Sequence, residues 1–116
     1  MSDYTIYHNP RCSKSRATLA LLEENGIAPE IVLYLETPPT AAEIRSLLEK
    51  LDLRAEQLVR RGEDEYEQAG LDKSSSEDAL VAAMAEYPRL IERPIVVCED
   101  RAVLGRPPEN VLALID

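Results

Sequence analysis

Hydrophobic and polar positions along this chain switch between the period of a strand and that of a helix, and the switches divide it into short elements. Thr5–Tyr7 is a β-branched and aromatic run, read as a first strand. Ser13–Asn25 carries Leu19 and Leu22 on one face and ends at Gly26, a residue suited to the position just past a helix, so a helix is predicted there. Ile31–Leu35, after Pro29, is a nearly continuous apolar run of the kind expected for a strand buried on both faces. A β-α-β unit results, and its right-handed crossover makes the two strands parallel neighbours or near neighbours in one sheet.

Past Pro38-Pro39 the period is helical. Thr40 and Glu43 have capping-box spacing, and Ile44, Leu47, Leu48 and Leu51 follow at i, i+3, i+4 and i+7. Leu53–Arg61, Glu63–Ala69 and Ser76–Glu86 are read as further short helices, punctuated by Gly62, Gly70 and the polar stretch Asp72–Ser76. Leu80, Val81, Met84 and Tyr87 give the last of these its apolar face. Strand character returns in Pro94–Cys98 and Arg101–Leu104, which flank Glu99-Asp100 as a hairpin. Pro107-Pro108 then suits a helix start, with Val111, Leu112 and Ile115 at helical spacing. The predicted order is β-α-β, helices, β-β-α: an α/β chain read as one domain, 1–116, with a helical insertion at about 40–87.

Composition narrows the function classes. The 116 residues are 45% hydrophobic, enough for one core. Thirteen Lys+Arg against 22 Asp+Glu leave a formal net charge of -9, which repels nucleic-acid phosphates and anionic lipid, so no nucleic-acid or membrane partner is expected. No apolar run approaches the ~20 residues of a membrane span, and the first residues lack a signal-peptide pattern; a cytoplasmic protein is expected. Cys12 and Cys98 have no CxxC spacing and no histidine pair nearby, so neither a disulfide scaffold nor a metal site is indicated. Cys98 follows Ile95-Val-Val97 in a strand and reads as structural.

Cys12 is different, because it stands where the first strand runs into the first helix. A thiol there faces unpaired backbone N–H groups and the positive end of the helix dipole, which stabilise its thiolate. It is the candidate nucleophile. His8, Arg11 and Ser15 are placed to add positive charge or hydrogen bonds at the same spot, while Lys14 and Arg16 neighbour it without a distinct role.

Four motifs in order, His8–Arg16, Leu33–Pro39, Leu90–Val97 and Gly105–Glu109, resemble the ArsC-type, glutaredoxin-linked arsenate reductase family, in its shorter, YfgD-like branch. The resemblance spans essentially the whole chain. It implies a thioredoxin-like fold with a mixed four-stranded sheet. It makes Cys12 the nucleophile that attacks arsenic, His8 a group that lowers its pKa and Ser15 a hydrogen-bond partner of the thiolate. It assigns oxyanion binding to Arg60, Arg93 and Arg106, and makes Pro94 a cis-proline facing the cysteine. No bound cofactor is implied. Arsenate is the substrate and glutathione the co-substrate: the Cys12 adduct is attacked by glutathione, and glutaredoxin resolves the mixed disulfide as arsenite leaves. External thiols are required in this scheme because Ser15 stands where a CxxC protein has its second cysteine.

Three other readings meet the same residues. A phosphatase-type reductase needs a C-x5-R loop, whereas the first arginine after Cys12 is Arg16. Spx-like regulators of this fold bind RNA polymerase and usually carry CxxC where this chain has Cys12 to Ser15. A glutathione- or glutaredoxin-linked thiol oxidoreductase acting on another substrate would use the same thiol chemistry, and the ending of this chain soon after its last helix, together with Arg11 and Gly105, keeps that reading open.

Overall fold

Apolar residues at alternate positions of Tyr4–Tyr7 (β1) and Ile95–Cys98 (β3) require a sheet with a covered face, and the computed structural model, which describes residues 3–115, provides it. The two ends of the expected 1–116 domain lie outside the described residues. The chain forms two compact units, one made of the residues up to Thr37 together with those from Arg93 on, the other Pro38–Glu92.

In the first unit, β1 leads to helix α1 (Ser13–Glu24) and strand β2 (Glu30–Val32). After the second unit come β3, β4 (Arg101–Leu104) and a 3-10 helix, Pro108–Leu114. The sheet order is β2-β1-β3-β4. β1 pairs parallel with β2, and the β1–β3 and β3–β4 pairs are antiparallel, so the sheet is mixed as expected. Ile6 faces Val96, which faces Val103, and this row lies on the core side. Leu22 from α1 and Val111 and Leu114 from the 3-10 helix close the core over it. The end of α1 is a Schellman motif: Gly26, at φ 77, donates to the Glu23 carbonyl and Ile27 to that of Leu22.

The second unit is helical: α2 (Ala41–Leu51), α3 (Ala55–Leu58), α4 (Asp64–Gln68), α5 (Glu77–Glu86) and a 3-10 turn, Pro88–Leu90. The Thr40–Glu43 capping box is formed in both directions, and Ser76 caps α5. Ile44, Leu47, Leu58, Val81, Met84 and Leu90 are its buried apolar residues of greatest weight.

The structure departs from the sequence reading in three places. The run Ile31–Leu35 is not a strand buried on both faces. β2 is an edge strand ending at Val32, the chain then turns, and Ile31 and Leu35 stay 48% and 39% exposed while Tyr34 is buried. Leu53–Arg61 is helical for only one turn, because Val59 adopts an extended conformation and bridges to Ile91; the Arg60 amide donates to the Leu90 carbonyl and the Glu92 amide to that of Leu58. The final segment is a 3-10 helix, in which residues three apart eclipse, so Val111 and Leu114 point inward rather than Leu112.

That last difference is measurable. Leu114→Ala is expected to cost about 2–5 kcal/mol in urea unfolding, and Leu112→Ala, at a 45% exposed position, no more than about 0.5 kcal/mol. Equal losses would mean that the segment keeps an α-helical period.

Candidate active site

Cys12 is the N-cap of α1, with extended backbone (φ -95, ψ 123) and no side-chain capping bond. The loop that delivers it is tied at every step. The His8 amide donates to the Val32 carbonyl at 2.9 Å, which docks the end of β1 beside β2. Asn9 organises the turn that follows: its Oδ1 accepts from the Arg11 amide and its carbonyl from the Cys12 amide, each at 3.0 Å. Arg16 reaches back from the first turn of α1 and donates from Nη1 to the Pro10 carbonyl at 2.9 Å.

Beneath this loop lies a buried polar pair. His8 Nδ1 and Ser15 Oγ are 2.6 Å apart, and the same hydroxyl oxygen accepts from the Asn9 amide at 3.0 Å. Both side chains are buried. Burial, and secondarily the charge of Arg16, lowers the His8 pKa from its ordinary 6.5, which favours the uncharged imidazole. Of the two contributions the sequence reading allows His8, positive charge or a hydrogen bond, the structure shows the hydrogen bond, made to Ser15. The Ser15 hydroxyl oxygen is shared between His8 and the Asn9 amide, and the Ser15 backbone amide faces the sulfur.

The thiol pKa is the outcome of opposed effects. Partial burial raises it, and the Ser15 amide, the positive charge of Arg93, the Lys14 amide and the Arg93 N–H donors lower it; the lowering effects prevail, and the pKa falls below 9.0. Helix-start amides and one guanidinium thus converge on one sulfur.

Arg93 is the residue whose state calls most for a ligand. Two of its nitrogens, Nε and Nη1, are buried and find no hydrogen-bond partner among the described residues. Leaving charged donors buried and unpaired is costly, so the arrangement fits a group that brings acceptor oxygens. Arg93 is positioned through its backbone. Its peptide bond to Pro94 is cis, as is Arg106–Pro107, and the Pro94 carbonyl accepts from the Gly105 amide at 2.9 Å. Arg106 is exposed, and its Nη1 donates to the Arg93 carbonyl at 3.3 Å. Gly105 has no room for a side chain, since a Cβ would meet Thr18 Oγ1 and the Pro94 ring. Thr18 in turn binds the Lys14 carbonyl at 2.8 Å and the Gly105 carbonyl at 3.3 Å.

Cys12, His8, Ser15, Arg93 and Arg106 all belong to the first unit. Arg60 belongs to the second, in the extended segment after α3, where its guanidinium pairs with Glu63 at 2.5 Å and Glu92 at 3.6 Å. Cys98 sits in β3 with its side chain packed on the core and is a free thiol. Asn9, Arg16 and Thr18 carry structural duties that the sequence reading did not give them; the Asn-Pro turn signal was the one available hint. Among the described residues no cluster suited to a metal ion occurs, and no helix is long and apolar enough to cross a membrane.

A mixed sheet with a cysteine at the start of the first helix and a cis-proline immediately before the third strand is that of a thioredoxin-like protein. Comparison with known proteins narrows the class. The sequence model of the ArsC family matches residues 7–114. The chain is 57% identical over 112 residues to YfgD of Escherichia coli K12, described as an uncharacterized protein, covering 95% of this chain and 94% of that one. It is 49% identical over 117 residues to a Neisseria meningitidis protein named arsenate reductase, covering 99% and 100%. A solved structure named arsenate reductase, from Vibrio cholerae, superimposes with a TM-score of 0.92 at 54% identity, covering 97% of each chain. The chain belongs to the ArsC family.

Two outcomes test these electrostatics. The rate of Cys12 alkylation by iodoacetamide is expected to rise with pH through a midpoint below 9.0, and Arg93→Ala should move that midpoint upward; an unmoved midpoint would remove Arg93 from the thiol's environment. His8 is the single histidine, so its ring titration by NMR should fall below 6.5. Between that midpoint and 6.5 the unfolded chain binds a proton that the folded one does not, so stability should decline as pH drops through this window. His8→Gln should flatten the decline, and a ring midpoint at or above 6.5 would contradict the assignment.

Proposed function

We propose that this protein is an arsenate reductase in which the Cys12 thiolate attacks arsenate and external thiols complete the reduction. The observation that carries the reading is Arg93, with two buried donors unpaired beside a thiol whose pKa is lowered. Arsenate is a tetrahedral oxyanion, and attack by a thiolate brings a second anion against it. Planar guanidinium donors and helix-start amides offset both charges with directed hydrogen bonds. The names of the Neisseria and Vibrio relatives, which this chain matches over nearly its full length, support arsenate as the oxyanion.

In this reading Cys12 Sγ forms a bond to arsenic as one arsenate oxygen leaves as water. Glutathione attacks the adduct, and glutaredoxin resolves the mixed disulfide, with two thiols giving two electrons to arsenic as arsenite departs. Arg93 and Arg106 hold the oxyanion. Arg60 is assigned to it by the family pattern alone, its guanidinium being paired with Glu63 and Glu92. His8 and Ser15 keep the loop in the shape that directs amides at sulfur. The cytoplasm, where glutathione keeps thiols reduced, is the compartment this chemistry requires.

The assay is arsenite formation with arsenate, glutathione and glutaredoxin. Wild type should be active, Cys12→Ser inactive, and Arg93→Ala reduced in kcat/KM by about 100-fold, with Arg93→Lys restoring only part. Undiminished activity in Cys12→Ser would refute the nucleophile. An inactive wild type that still reduces a glutathione mixed disulfide through Cys12 would assign the site to another substrate.

A further inference from the structure

A cleft of about 380 Å³ opens on the first unit, lined by Asn9, Pro10 and Arg11 of the active-site loop and by Leu33, Leu35 and Glu36 after β2. His8 also lines it. Its volume is at the small end of the range for small-molecule sites, ~300–1,000 Å³, and too small to seat a protein surface. Leu33, Leu35 and Pro10 make the walls largely apolar. Leu35 is 39% exposed, an exposure that the edge position of β2 and the following turn create. Arg11 and Glu36 are both exposed, and among the described residues neither has an ion-pair partner. Opposite charges, one from each of two chain segments, thus line a largely apolar trough.

That pattern complements a small zwitterion with a carboxylate for Arg11 and an ammonium for Glu36, joined by a short chain lying across the leucines. Four of the lining residues, His8 to Arg11, are the loop that leads directly into Cys12, so a ligand held there borders the active-site loop. We propose that this cleft is the docking subsite for the low-molecular-weight thiol co-substrate, a zwitterionic thiol peptide of the glutathione class. The inference rests on the function proposed above. Its chemical step is the displacement of a hydroxyl from Cys12-bound arsenic by the incoming sulfur: an S–As bond forms, an As–O bond breaks, the hydroxyl leaves as water with the thiol's proton, and arsenic keeps its oxidation state. Electrons move only in the later thiol step.

S-methylglutathione, which has no thiol to react, is the probe. Titrated into the 15N-labelled wild-type protein, it should cause saturable amide shifts at Arg11, Leu35 and Glu36. Arg11→Glu and Glu36→Lys should each weaken its affinity by about fivefold or more, with Cys12 alkylation in Glu36→Lys left at the wild-type rate. Shifts confined to other residues, or affinity unchanged in both variants, would overturn the proposal. So would shifts of these residues by glutaredoxin without any by S-methylglutathione. The titration needs neither arsenate nor turnover, so the two proposals fail separately. Binding without arsenite formation would sink the assigned reaction alone, and arsenite formation with an unperturbed cleft would sink the subsite alone.

Discussion

A sulfur whose pKa is lowered and an arginine with two buried nitrogens lacking a partner among the described residues stand side by side, and each bears on the other's charge. Burial opposes the thiolate, and what reverses that opposition is the pair of amides at the start of α1 together with the charge of Arg93. Burial equally penalises the guanidinium, whose Nε and Nη1 are unpaired. The thiolate offsets part of that cost by charge, and an oxyanion would offset the rest by hydrogen bonds. In the proposed function, oxyanion binding and thiol nucleophilicity share this one electrostatic origin.

The fold can be understood as the means of keeping these two groups in place. β1 and α1 fix the sulfur through a loop in which His8, Asn9 and Arg16 each hold a backbone group or a hydroxyl. β3 and β4 fix the arginine, through the Gly105–Pro94 hydrogen bond and the Arg106 contact to the Arg93 carbonyl. Thr18 links the two halves, touching both the α1 backbone and Gly105. Gly105 is glycine because Thr18 and the Pro94 ring occupy the space of a side chain. Two strand-to-loop junctions far apart in sequence are joined in this way by one buried hydroxyl.

Much of this was legible in residue order. The strand that runs into Cys12, the capping box at Thr40, the hairpin around Glu99-Asp100 and the helix stop at Gly26 are local signals, and the structure honours each. What escaped depends on neighbours distant in the chain. Ile31–Leu35 reads as a buried strand because composition does not reveal that β2 is a sheet edge. Val59 leaves the helix because Ile91 offers it a bridge. His8 reads as a source of charge or of a hydrogen bond, and burial lowers its pKa while Ser15 takes the hydrogen bond. The resemblance gives Arg60 to the oxyanion, and in the structure Glu63 and Glu92 pair with it. Charge states and edges are properties of packing, and periodicity is silent about both.

The most direct test of the central claim observes Arg93 itself. In an NMR titration of the wild-type protein with arsenate under non-reducing conditions, the side-chain Nε–H of Arg93 should shift saturably and become protected from solvent exchange as its unpaired donors gain acceptors. An Arg93 Nε–H that stays unperturbed at arsenate concentrations that saturate the protein would contradict the account.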